Sequence, residues 1–113
     1  MRNKNDYYPT PEWCYKNLDI DWSQFKTAHE PGAGDGRIVT FLQNQGIETT
    51  YSEIQEDKDF FEWEGDVDLI FTNPPFSLAQ EFIEHSMMFA PTVVMLLRIN
   101  FLGRLYFFLN KFW

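Results

Sequence analysis

Gly32, Gly34 and Gly36 stand at every second position between a β-prone segment, Lys26 to Glu30, and a helix-forming one. No other feature constrains the fold as much. Glycine enters left-handed backbone conformations without steric cost, so Glu30-Pro31-Gly32-Ala33-Gly34-Asp35-Gly36 is a tight turn whose backbone a ligand can approach closely. Beyond the turn, Ile38, Phe41 and Leu42 fall on one helical face, and Gly46 ends that helix. A strand, a glycine-rich turn and a helix in this order belong to a parallel α/β sheet.

The rest of the chain repeats the alternation. Glu48 to Ile54 is a second strand, in which Thr49, Thr50 and Tyr51 favour extension. Gln55 to Asp66 is acidic and irregular, with Phe60, Phe61 and Trp63 embedded in it. Val67 to Thr72 is a third strand, ended by Asn73-Pro74-Pro75. Ser77 and Gln80 have capping-box spacing for a helix with Leu78, Phe82 and Phe89 on its buried face, ended by Ala90-Pro91. Thr92 to Leu97 is a continuous apolar run, expected of a central parallel strand. Near the N-terminus Tyr8-Pro9-Thr10-Pro11 opens a short helix, with Thr10 at the N-cap and Pro11 at the first helical position. The fold class is therefore α/β, a doubly wound and mostly parallel sheet in a single domain over residues 1–113. Ligands of such sheets sit at the carboxyl ends of the strands.

Composition bounds the function. A hydrophobic share of 44% against 23% charged excludes a disordered chain. The lone Cys14 excludes an internal disulfide, and the polar stretch Met1 to Tyr8 has no signal-peptide pattern, so a cytoplasmic location is expected. Pro91, Arg98, Arg104 and Lys111 break the apolar C-terminal stretches well below transmembrane length, so no membrane partner is expected. A net charge of −8 opposes phosphate contacts, but all 17 acids precede residue 92, and Arg98, Arg104 and Lys111 follow it. If a nucleic acid such as DNA binds, the C-terminal segment is the expected contact side, with Arg98 and Arg104 as candidate phosphate contacts; otherwise the acids form a solvated surface. His29 and His85 lack metal-ligand spacing and are read as structural, and no metal site is expected. Trp13, Trp22, Trp63 and Trp113 are read as core or rim residues.

The glycine-rich turn alone could serve a dinucleotide, a nucleotide or merely a bend. It lacks the Gly-Lys-Ser/Thr ending of a Walker A loop, and Pro31 and Gly36 break the Gly-x-Gly-x-x-Gly fingerprint, which disfavours NAD. Glu53 lies 23 residues after Glu30, matching the spacing of about 20 residues at which an acid reaches ribose hydroxyls in nucleoside-binding α/β folds. Ile54 is placed to pack against an adenine ring, and Asp59, beside Phe60, to accept a hydrogen bond from its amino group. In Asn73-Pro74-Pro75-Phe76, two prolines with fixed φ and no N–H hold the Pro74 carbonyl in one direction. Asn73 adds a side-chain carbonyl. Two acceptors can then converge on an NH₂ group and turn its lone pair towards an electrophile, while Phe76 offers a flat stacking surface.

From Tyr7 to about Gly103 the chain resembles the S-adenosylmethionine-dependent amino-methyltransferases, above all the small N6-adenine DNA methyltransferases of phages and prophages. Glu30-Pro31-Gly32-Ala33-Gly34-Asp35-Gly36 is similar to their cofactor loop, Glu53-Ile54 to the ribose-binding acid and its neighbour, and Asp59-Phe60-Phe61 to the segment meeting the cofactor adenine. Asn73-Pro74-Pro75-Phe76 resembles their catalytic tetrapeptide, and Tyr8-x-Thr10-Pro11 the element that completes the pocket around the methionine part. The resemblance implies a Rossmann-like core, S-adenosylmethionine as cofactor, DNA as partner, and direct methyl transfer to an adenine flipped from the duplex. Cofactor contacts would come from Tyr8, Thr10, Pro11, Glu30, Pro31, Gly32, Gly34, Glu53, Ile54, Asp59 and Phe60, and catalysis from Asn73, Pro74, Pro75 and Phe76. For a phage-encoded chain the location would be the host cytoplasm.

Enzymes acting on guanine N2 in RNA or on a protein glutamine use a similar tetrapeptide, and they form one alternative. The Tyr-x-Thr-Pro element and the Thr92 to Gly103 stretch favour DNA adenine. The C-terminus departs from the family. Further strands, including an antiparallel pair, and target-recognition elements are expected after Leu97, but only Arg98 to Trp113 remain. The sheet is therefore expected to be incomplete at its C-terminal edge, and a truncated, non-catalytic cofactor-binding remnant is the second alternative. Leu105-Tyr106-Phe107-Phe108-Leu109 is expected to cover that edge or supply one short strand. A bare edge would favour self-association.

Overall fold

Four short extended segments pair side by side in parallel: β1 (Thr27–Glu30), β2 (Glu48–Tyr51), β3 (Leu69–Thr72) and β4 (Thr92–Met95). A two-residue strand, β5 (Leu109–Asn110), runs antiparallel along β4. The structure is a computed structural model that describes residues 13–16, 18–53, 59–96 and 109–110. The sheet order is β2-β1-β3-β4-β5. Helix α1 (Trp13–Lys16) precedes β1, α2 (Arg37–Asn44) joins β1 to β2, and α3 (Ala79–Ser86) lies between β3 and β4.

Successive side chains of a strand face opposite ways, and each face of this sheet has its own core. Ala28, Leu69, Phe71, Val94 and Leu96 point to one side, where Tyr15 of α1, Trp22, Phe25, and Ile38 and Leu42 of α2 pack on them. Trp22 stacks on Phe71 with ring centroids 5.3 Å apart. Ile70, Val93 and Met95 point to the other side, under Phe60 and Phe82 of α3. Leu42, Leu69, Ile70 and Phe71 are fully buried, and each such side chain contributes about 1.5–3 kcal/mol. A parallel sheet covered by helices on both faces is the arrangement that continuous apolar strands require. Among the described residues no helix is long and apolar enough to cross a membrane.

The expected elements recur with several shifts. α2 ends as anticipated at Gly46, whose φ of 84° admits the left-handed turn that lets the Ile47 N–H reach the Leu42 carbonyl at 3.1 Å. β2 stops at Tyr51, where its ladder with β1 ends at Glu30, and Ile54, the expected end, lies outside the described residues. The capping box of Ser77 and Gln80 does not form. Leu78 donates its N–H to the Pro75 carbonyl at 3.0 Å, so a 3-10 turn (Phe76–Leu78) is wound first and α3 starts only at Ala79. Gln80 turns instead to Glu84 at 3.1 Å. Leu78, expected on the buried face, is consequently exposed, whereas Phe82 is buried and Phe89 packs half-buried on the same core. α3 also ends earlier than expected, at Ser86, and a turn carries the chain to Ala90. Of the expected C-terminal edge segment only Leu109 lies among the described residues, and it belongs to β5. At the opposite edge β2 is short, with Glu48 and Thr50 exposed, features that blunt pairing with a second chain.

The amino ends of β1 and β3 are tied by Asp68. Its Oδ2 accepts the backbone N–H groups of Lys26 at 2.7 Å and Thr27 at 3.2 Å, and its own N–H donates to Thr27 Oγ1 at 3.0 Å. Asp68→Ala leaves two strand-end donors without this acceptor and is expected to lower stability by about 1–2 kcal/mol, read as a fall in the urea midpoint at unchanged slope.

Candidate functional site

β1 leads through α2 to β2 on one side, and β3 leads through α3 to β4 on the other. The chain therefore diverges between β1 and β3, with α2 on one face of the sheet and α3 on the opposite face. The carboxyl ends of two such strands form a topological switch point, where open α/β sheets bind their ligands. Both motifs singled out in the sequence fall there: the turn Glu30 to Gly36 follows β1, and Asn73-Pro74-Pro75 follows β3.

The glycine-rich turn is closed by acids. Glu30 is buried, and its Oε2 accepts the Gly32 N–H at 2.7 Å. Its Oε1 accepts the hydroxyl of Thr72 at 3.0 Å, from the last position of β3. Glu53, also buried, accepts the Gly34 N–H at 2.6 Å. Asp35 accepts the first helical N–H of α2, that of Arg37, at 3.1 Å, and also pairs with the Arg37 side chain at 2.9 Å. That ion pair is exposed and contributes little to stability. Gly34 and Gly36 have φ of 55° and 83°. A Cβ at Gly36 would meet nothing within 4 Å, so Gly36→Ala should cost about 1–2 kcal/mol through left-handed backbone strain alone, measurable in the thermal unfolding of a variant with unchanged far-UV circular dichroism.

A pyrophosphate on such a turn would use the turn amides and the helix N-terminus. Here Glu30, Glu53 and Asp35 already hold the N–H groups of Gly32, Gly34 and Arg37. Their carboxylates oppose an anion and suit a ligand with positive charge.

Across the switch point Pro74 and Pro75 are buried and Asn73 is half-buried, with an interaction inside the chain. The Pro75 carbonyl accepts from Leu78, while no described residue donates a hydrogen bond to the Pro74 carbonyl. The backbone of Phe76 begins the 3-10 turn. Asp59 caps the 3-10 turn Phe60–Glu62, accepting the Phe61 N–H at 3.0 Å. Phe60 is buried in the core under α3, its ring 5.1 Å from that of Phe82. The structure thus gives Asp59 and Phe60 local and packing roles, and brings Glu30, Pro31, Gly32, Gly34, Glu53, Asn73, Pro74 and Pro75 to the sheet's carboxyl end. Tyr8, Thr10, Pro11, Ile54, Arg98 and Arg104 lie outside the described residues, as does the side chain of Phe76. A cleft of about 520 Å³ lies beside α2, among Tyr15, Trp22, Arg37, Phe41 and Asn44, and neither Glu30, Glu53 nor Asn73 lines it. Its size alone does not make it the site.

Two residues of this region had no functional signal in the sequence. Thr72 is one, a fully buried strand-end threonine. His29 is the other. Also fully buried, it lies with Nδ1 2.7 Å from Thr50 Oγ1 and Nε2 2.7 Å from Ser52 Oγ, beneath the Trp63 indole at a centroid distance of 3.9 Å. Burial lowers its pKa to about 4, so near neutral pH one ring nitrogen donates and the other accepts. Ser52 in turn donates its N–H to the Glu30 carbonyl at 2.9 Å and accepts the Ala33 N–H at 3.0 Å. His29 therefore props the strand end that frames the turn.

The chain is a small α/β protein with a four-strand parallel sheet, an architecture compatible with a Rossmann-like fold. Comparison with protein-family models and with curated protein sequences gives no match. Among the described residues no group of three or more His, Cys, Asp or Glu side chains could hold a metal ion.

Proposed function

We propose that the protein is an S-adenosylmethionine-dependent amino-methyltransferase whose acceptor is the N6 amine of adenine in DNA. The observation that carries this reading is the meeting of an acid-closed glycine turn and an Asn-Pro-Pro segment at one topological switch point. The sulfonium and ammonium of S-adenosylmethionine suit a turn whose amides are held by carboxylates, where a dinucleotide phosphate does not. When bound, this cofactor supplies a methyl group on positively charged sulfur; the amine lone pair forms the new N–C bond, the electrons of the broken S–C bond return to sulfur, and the amine releases one proton to solvent.

The chain's own residues would position the two reactants. Glu30 and Glu53 shape the turn against the cofactor, with Glu53 exchanging its hold on Gly34 for the ribose hydroxyls. Asn73 and the Pro74 carbonyl accept the two amine hydrogens and aim the nitrogen lone pair at the methyl carbon. Phe76 stacks on the base, which is flipped out of the duplex. The work is orientation, without a covalent enzyme intermediate.

The test is transfer of label from radioactive S-adenosylmethionine to unmethylated DNA, with RNA and a protein extract as parallel acceptors. Label recovered as N6-methyladenine from DNA is the expected result. Label in RNA guanine or protein glutamine would keep the chemistry and change the substrate. Cofactor binding without any transfer would reduce the chain to a non-catalytic binding protein, and absence of both would overturn the reading.

A further inference from the structure

Thr72 and Glu30 are 42 residues apart in sequence, yet the threonine hydroxyl donates to Glu30 Oε1 at 3.0 Å while Glu30 Oε2 accepts the Gly32 N–H at 2.7 Å. Thr72 is fully buried and Glu30 is 2% exposed. One carboxylate thus bridges the residue immediately before Asn73 and the first glycine of the turn, across the junction of β1 and β3. A hydrogen bond to a carboxylate in a water-excluded site is stronger and more directional than a surface contact. Leu96 adds a further tie, donating its N–H to the Thr72 carbonyl at 2.9 Å, so Thr72 is held from both neighbouring strands.

We propose that Thr72 is a positioning residue: acting through Glu30, its hydroxyl locks the Asn73-Pro74-Pro75 segment and the glycine-rich turn into one fixed relation. In its functional part the proposal rests on the reading given above. The acceptor-binding groups and the cofactor-binding turn sit on different strands, and transfer needs their separation set within a fraction of an ångström. Backbone pairing of β1 with β3 reaches only the Ala28↔Leu69 and His29↔Ile70 partners, so the ladder ends before the two loops begin. The side-chain bridge continues the connection beyond it.

The test makes a change on one strand and reads it on the other. In ¹⁵N-labelled protein without ligand, Thr72→Val is expected to speed hydrogen exchange of the Gly32 amide about tenfold, the scale of one lost hydrogen bond to a charged group, and Thr72→Ser to restore it. Glu30→Gln is expected to shift the Asn73 amide resonance, so either variant alone suffices should the other fail to fold. Unchanged Gly32 exchange in folded Thr72→Val, or an unmoved Asn73 resonance in folded Glu30→Gln, would overturn the proposal. If the wild type transfers methyl groups, Thr72→Val lowers the rate at saturating cofactor about tenfold and Thr72→Ser recovers it, whereas a wild-type rate in Thr72→Val would refute the positioning role. A wild type that binds no S-adenosylmethionine removes the activity reading and leaves the exchange measurements to decide the lock by themselves.

Discussion

Asn73→Ala is expected to lower methyl transfer by about 10²-fold or more while leaving S-adenosylmethionine binding largely intact. Asn73 directly follows Thr72, on the β3 side of the switch point, whereas the turn that would hold the cofactor belongs to β1. In the proposed mechanism its side-chain carbonyl would be one of two acceptors for the incoming amine. The other would be the Pro74 carbonyl, to which no described residue donates. Removing one acceptor frees the amine to rotate its lone pair away from the methyl carbon, without touching Glu30 or Glu53. Calorimetric titration with S-adenosylmethionine and initial rates at saturating cofactor separate the two effects. Equal losses of binding and rate would assign Asn73 a structural role instead.

Acidification is expected to unfold the protein through His29. The imidazole is buried under Trp63 with both nitrogens engaged, and desolvation holds its pKa at about 4 against an ordinary 6.5. The unfolded chain therefore binds a proton between these values while the folded one does not. The associated stability is present in full above pH 6.5 and is lost as pH falls towards 4, by about 3 kcal/mol in all. Below that the contribution levels off, because both states are protonated. Urea midpoints of the wild type between pH 7 and 4 should fall more steeply than those of His29→Gln, which keeps polar partners for Thr50 and Ser52 but cannot titrate. Parallel slopes would show that His29 does not carry the effect. Because Ser52 joins His29 to the Glu30 carbonyl and the Ala33 N–H, the turn should loosen before the sheet melts, with Gly34 among the first amides to lose protection.

What could be read from the sequence is what short-range pattern encodes. The positions of β1, α2, β3 and β4 follow from apolar periodicity and from Gly36, Gly46 and the proline pair, each acting within a few residues of itself. The turn and the Asn-Pro-Pro segment were legible as motifs at strand ends. The strand order was not, since nothing in the Thr92–Met95 run says that it pairs with β3 and not with β1. Nor were the bonds that join distant segments: Thr72 to Glu30, Glu53 to Gly34 and Asp68 to Lys26 each depend on partners brought together only by the sheet. α3 starts later than the Ser77–Gln80 spacing predicts, because the Pro75 carbonyl accepts the Leu78 N–H and a 3-10 turn is wound first. The packing of Phe60 shows the same limit, since its neighbours Phe82 and His85 come from a helix more than twenty residues further on.

β3 is anchored at both ends by side chains, Asp68 below and Thr72 above, with every residue between them buried. The strand is therefore a ruler of fixed length. Inserting or deleting one residue within it would move Asn73 by about 3.3 Å and exchange the two core faces along the strand. The segment from Glu64 to Asp66 is exposed and carries neither anchor. Over evolutionary time, changes of length should gather in that segment and be purged from Asp68 to Pro75, so the interval between these two residues should vary least in length, even where the residues inside it drift.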